Sequence, residues 1–180
     1  MAANQRLGKH GVTTISETVQ IGRGETAVEV GVMTTPEPER KFDGEGAKEW
    51  STVHGVAITP DGVVWIADRV GNRIQQFKID GTYIREAFVN RKASAPTGTV
   101  YDFSFSPDNK WVYVPDGASK EVHILDRNTL KEVGTLGNHC GGQMPGCFNH
   151  VHVSGVDSAG NVYTGEAAAG ARLQKWRLVK

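Results

Sequence analysis

A segment of nearly 50 residues occurs three times in this chain, and that periodicity limits the fold more than any single residue does. "HGVAITPDGVVWIADRVGNRIQQF" begins at His54, "YDFSFSPDNKWVYVPDGASKEVHIL" at Tyr101 and "HVSGVDSAGNVYTGEAAAGARLQKW" at His152. Each copy runs from a short apolar-alternating strand into a turn (Pro-Asp-Gly, Pro-Asp-Asn or Ser-Ala-Gly). A second strand then carries an aromatic residue (Trp65, Tyr113, Tyr163) and ends at an acid (Asp68, Asp116, Glu166). After a Gly-containing turn, a third strand ends at Phe77, Leu125 or Trp176. The acids lie 48 and 50 residues apart, and strand-like segments "GTYIREAFVN" and "LKEVGTLGN" come after the first two copies. Four strands per period of this length is the signature of a propeller blade. Asp-Gly and Asn-Gly pairs supply the positive φ that tight hairpins need.

The expectation is therefore an all-β chain: three four-stranded blades over residues 50–180, preceded by a degenerate blade or edge-capping β segment over residues 1–49. In the latter, "HGVTTISETVQIGRGETAVEVGVMTT" alternates like strands, and His10-Gly11-Val12 echoes His54-Gly55-Val56. The stretch "PEPERKFDGEGAKEW" is broken by two prolines and two glycines and reads as loop. The 22 glycines of this 180-residue chain suit many short strands better than helices.

Charge narrows the partners. Lys+Arg and Asp+Glu both number 20, with no basic stripe for nucleic acid and no apolar run near the roughly 20 residues of a membrane span. Nucleic acid and membrane are thus not expected partners. The first residues lack the hydrophobic segment of a secretory signal, and the compartment stays open. Cys140 and Cys147 enclose "GGQMPG"; a bridge clipping one loop and two free thiols are both open readings.

Over residues 50–180 the chain resembles NHL-repeat β-propellers, and within them the peptidyl-α-hydroxyglycine α-amidating lyase type and its bacterial relatives. The resemblance rests on the His54 segment, on "YDFSFSPD", "WVYVPDG" and "VHILDRNTLKEVG", and on "HVHV", "DSAGNVYTGE" and "RLQKW". It implies a six-bladed ring with a zinc ion in the central channel, held by histidines that open the innermost strand of alternate blades. His54 and His152 stand at that position, two blades apart, with Tyr101 between them. Both histidines lie eight residues before their turn glycine (Gly62, Gly160), so they are expected to share a channel-facing side. The family's third ligand would come from further upstream. Six such blades need roughly 280 residues, so the ring is expected to be completed by a second copy or a missing half, or its edge to be capped.

The expected metal pair is therefore His54 and His152. His150, two residues before His152, is a substitute ligand or ligand-binding residue. Tyr101 is a candidate acid/base group and Arg69 a candidate carboxylate binder at the channel mouth, although a hydrogen-bonded filler and an ion pair are the plainer readings of the two. Asp102 is a candidate ligand-binding residue. Asp68, Asp116 and Glu166 recur periodically and read as turn-closing acceptors. No chemistry is expected of His123 or His139, and His10 is a weaker ligand candidate. The function expected is a propeller module that binds a small ligand or a protein through its channel and through loops such as "NHCGGQMPGCFNH" and "VNRKASAPTGTV". The alternative is a zinc-dependent lyase or hydrolase like the amidating lyase.

Overall fold

The structure is a computed structural model. It describes residues 50–93, 97–137 and 140–179, together with the strand backbones of residues 4–7, 13–20 and 27–34. The readings that concern His10, His139 and residues 36–49 lie outside the described residues, as do parts of the loops "NHCGGQMPGCFNH" and "VNRKASAPTGTV". The chain divides into two compact units, Met1–Trp50 and Ser51–Lys180. The first holds a three-stranded antiparallel meander of β1 (Asn4–Leu7), β2 (Thr13–Gln20) and β3 (Ala27–Thr34), with Thr13 opposite Thr34 and Gln20 opposite Ala27.

The second unit is three consecutive antiparallel sheets. Blade 1 is β4 (Val53–Ile58), β5 (Val63–Asp68), β6 (Arg73–Lys78) and β7 (Tyr83–Phe88). Blade 2 is β8 (Ser104–Phe105), β9 (Trp111–Asp116), β10 (Glu121–Asp126) and β11 (Glu132–Leu136). Blade 3 is β12 (Val151–Val156), β13 (Val162–Glu166) and β14 (Leu173–Trp176). Among the described residues there is no helix. Blade 3 thus has three strands rather than four, because no described residue pairs on the outer side of β14. The innermost strand of blade 2 is only two residues long.

The hairpin turns behave as the sequence demands. Gly62 and Gly160 have φ of +76° and +86°, and Asn109 at the matching turn of blade 2 has φ +56°. Adjacent blades are joined by apolar faces. Trp65 of β5 is buried against Phe103 and Phe105, ring centroids 6.1 and 5.0 Å away, within a cluster that includes Ala67, Ile74, Val100, Val112 and Val114. Between blades 2 and 3 the cluster is Tyr113, Val122, Phe148, Val151 and Val162. Each fully buried side chain of this kind contributes about 1.5–3 kcal/mol. Ser104 and Ser154 hydroxyls meet at 2.8 Å, so the innermost strands of blades 2 and 3 also touch directly.

Candidate functional site

Two carboxylates set where the strands that carry His54 and His152 begin. In blade 1, Asp68 accepts hydrogen bonds from the backbone N–H groups of Ser51 and Thr52, both at 3.1 Å. In blade 3, Glu166 accepts from Asn149 at 2.6 Å and from His150 at 3.1 Å. In each blade the second donor lies two residues before the histidine, His54 or His152. A guanidinium supports each acid: Arg73 Nε on Asp68 at 3.1 Å, with both side chains fully buried, and Arg172 Nε on Glu166. Burial opposes the charge of Glu166, but Arg172 and the two N–H groups outweigh it and hold the carboxyl below its usual range. Asp116 of blade 2 instead accepts from Ala118, Ser119, Asn90 and His123.

The ladders then break at the histidines. Val53 pairs with Asp68 and Gly55 with Ala67, so His54 is the extra residue of a β-bulge; Val151 pairs with Glu166 and Val153 with Gly165, so His152 is the same. A bulge re-aims the side chain of its extra residue, and bulges are frequent beside functional sites. Strict alternation along the strand is interrupted at both positions, but in the same way. The two rings come together with centroids 4.9 Å apart.

Tyr101 of blade 2 completes a triangle, 5.6 Å from His54 and 5.2 Å from His152. His150 stands edge-on to Tyr101 at 5.1 Å and 6.0 Å from His152, and the Arg69 guanidinium lies 5.1 Å from the Tyr101 ring centre. Four of the six expected site residues, His54, His150, His152 and Arg69, therefore pack around another, Tyr101. The Tyr101 carbonyl oxygen is bonded to His54 Nδ1. A carbonyl only accepts, so Nδ1 carries a proton, and in the neutral imidazole the lone pair is on Nε2. Burial, then His54, His150 and Arg69, depress the His152 pKa. Asp102, bonded through Oδ2 to Ser154 N–H at 3.3 Å, has its pKa raised by burial, against the lowering by its backbone donors and the two histidines.

Two plainer expectations do not hold. Arg69 has no acidic partner among the described residues: it lies over Tyr101, and its Nε is buried without a hydrogen-bond partner. Tyr101 is 1% exposed, yet its hydroxyl also has no hydrogen-bond partner among the described residues. What packs on Tyr101 is the rings of His54, His150 and His152 and the Arg69 guanidinium, none of them a carboxylate. His123 pairs with Asp116 and Glu132 away from the triangle. Gly117 was not singled out from the sequence. A Cβ there would stand 2.8 Å from His150 Cε1 and 3.0 Å from Tyr101 Cζ. The signal was its place in the repeat, where blade 1 has Arg69 and blade 3 has Ala167.

A catalytic zinc takes three protein ligands and keeps a fourth position open. Among the described residues no three His, Cys, Asp or Glu side chains converge in that way. The imidazole pair offers the right chemistry but falls one donor short of such a centre. The cysteine pair is closed as a Cys140–Cys147 disulfide.

Residues 51–77, most of blade 1, match the NHL repeat family. The three consecutive antiparallel sheets are blades of a β-propeller. No curated protein matches the chain in sequence. Among solved structures it is similar to a Bacteroides uniformis protein provisionally named a 6-phosphogluconolactonase. That match has 11% identity and a TM-score of 0.56, and covers 93% of this chain and 50% of that one. It is also similar to the catalytically inactive virginiamycin B lyase of Staphylococcus aureus with quinupristin. Here identity is 12% and the TM-score 0.51, with 98% of this chain and 55% of that chain covered. The Kuenenia stuttgartiensis hydrazine synthase matches at 16% identity and TM-score 0.49, over 89% of this chain and 40% of that one. The chain thus spans about half the length of these proteins. At such identities the likeness is one of fold.

Proposed function

We propose that this propeller segment is a binding module for a small polar ligand, held at the channel by His54, Tyr101, His150, His152 and Arg69. The observation that carries this reading is that two buried atoms, Tyr101 Oη and Arg69 Nε, have no hydrogen-bond partner among the described residues, while the Arg69 guanidinium lies over the Tyr101 ring. A buried donor left unpaired costs about 1–3 kcal/mol, a cost that a ligand oxygen removes on binding. His54 Nε2, with its lone pair free, calls for a donor on the same ligand. A small molecule with one oxygen acceptor and a nearby hydroxyl or amine satisfies all three.

Calorimetric titration of the intact chain with small hydroxy acids, amino acids and inorganic phosphate tests this. Binding is expected for one of these classes, and Tyr101→Phe is expected to weaken it at least tenfold while the variant stays as stable as the parent or becomes more so. If Tyr101→Phe loses stability and no class binds, the reading fails. The lyase alternative finds support in the fixed tautomer of His54, since a metal-binding imidazole commonly donates its other N–H to a carbonyl. Metal content separates the two: the lyase reading requires stoichiometric zinc that is lost in His54→Ala, and the binding reading does not.

A further inference from the structure

We propose that Arg172 is a positioning residue that ties the disulfide-closed loop of residues 140–147 to the backbone from which His150 and His152 project, so that the loop's state sets how these two rings face the channel. The guanidinium reaches two places at once. Its Nε donates to Glu166 Oε1, while Nη1 and Nη2 donate to the carbonyl oxygens of Gln143, Met144, Gly142 and Cys147. Glu166 uses its other oxygen to hold the N–H groups of Asn149 and His150. One side chain therefore connects four loop carbonyls to the carboxylate that fixes the approach to both histidines.

Blade 1 supplies the contrast. Arg73 occupies the equivalent place, opposite Asp68 in the ladder, and Arg172 stands opposite Glu166 in the same manner, its carbonyl accepting from Glu166 N–H at 2.9 Å. The second partner of Arg73 is an acid of its own blade, Glu86 on β7 at 3.1 Å. In blade 3 loop carbonyls take the role of that acid. Neighbouring contacts reinforce the tie. Gln174 Nε2 donates to the Cys147 carbonyl at 2.9 Å, Gly146 N–H donates to Gln174 Oε1 at 3.0 Å, and Gln143 Nε2 donates to Ala169 O at 3.1 Å. Carbonyl acceptors carry no charge, so they hold a guanidinium only while the loop keeps them converged. The Cys140–Cys147 bond keeps the loop closed.

The test monitors the imidazole ¹H–¹⁵N signals of the intact, labelled chain before and after reduction by dithiothreitol. Two electrons and two protons open the disulfide to two thiols, and the reagent is oxidised to its cyclic disulfide. Reduction is expected to shift the His150 and His152 ring signals while those of His123 stay in place. Arg172→Lys, with the disulfide intact, is expected to produce the same two shifts, since a point charge cannot reproduce the fork. If Arg172→Lys fails to fold, Cys140→Ser with Cys147→Ser carries the comparison, and its spectrum must match that of the reduced parent. The proposal is overturned if reduction moves the amide signals of Gly141 and Gly142 but leaves both ring signals unchanged. This outcome is independent of ligand binding, so it leaves the binding reading to its own test.

Discussion

Gly117 shows how one missing side chain shapes the site. Its φ is not in the left-handed region, so the backbone does not demand glycine there. Space demands it: a methyl group would press on both His150 and Tyr101. Gly117→Ala is therefore expected to cost about 1–3 kcal/mol, the usual range for overpacking, and to displace the His150 ring. The denaturant midpoint and the imidazole spectrum together check this. An unchanged ring signal would show that the neighbours have room to give. Tyr101 is the complementary case. Its hydroxyl makes no hydrogen bond among the described residues, so a stable Tyr101→Phe variant that loses binding separates function from fold.

At the scale of the strand, the acid that ends the second strand of each blade organises the turn and the strand beside it. Asp68 and Arg73 are both fully buried, so Asp68→Asn removes the fully buried one of the two carboxylates that Arg73 meets at 3.1 Å, the other being Glu86. The expected loss is about 3–5 kcal/mol, as for a broken buried pair, read as a fall in urea midpoint. Blade 2 uses a titratable version of the same device. His123 sits where blades 1 and 3 carry Gln75 and Gln174, one nitrogen on Asp116 of β9 and the other on Glu132 of β11. Burial lowers its pKa, but the two carboxylates outweigh that and raise it above 6.5. The folded state therefore binds the proton more tightly than the unfolded one. This stabilisation is complete below about pH 6.5 and disappears as pH rises through the folded pKa. The urea midpoint is expected to fall as pH rises above about 6.5, and His123→Gln is expected to remove most of that slope. A variant with the parent's slope would assign the titration elsewhere.

At the scale of the whole molecule, the blade contacts repeat like the sequence. Phe103 and Phe105, two and four residues after Tyr101, cover Trp65 of the preceding blade. Val56 and Ile58 hold the same places after His54, and they are 61% and 65% exposed; Leu173 on β14 is 70% exposed. Residues that serve as inter-blade contacts elsewhere in the chain are thus open to solvent on blade 1, and we expect a second copy to cover them. Light scattering is expected to give a mass above the 19.5 kDa of one chain, returning to it in the double variant Val56→Thr, Ile58→Thr. A parent chain that stays monomeric at high concentration would refute this.

What the sequence determined is local and periodic. Turn glycines at 62 and 160, the aromatic at the middle of each second strand, and the acid at its end were legible because each answers to its own neighbours in the chain. The equal offset of His54 and His152 from those turns was legible for the same reason. The bulge at each histidine was not, since an extra residue in a ladder is defined only by its partner strand. The convergence of His54, Tyr101, His150, His152 and Arg69, the crowding at Gly117 and the Tyr101 hydroxyl without a partner among the described residues also belong to the tertiary structure. They join residues up to 98 positions apart, from His54 to His152. Only the packing of one blade on the next decides whether such side chains meet, and whether a buried donor finds an acceptor when they do.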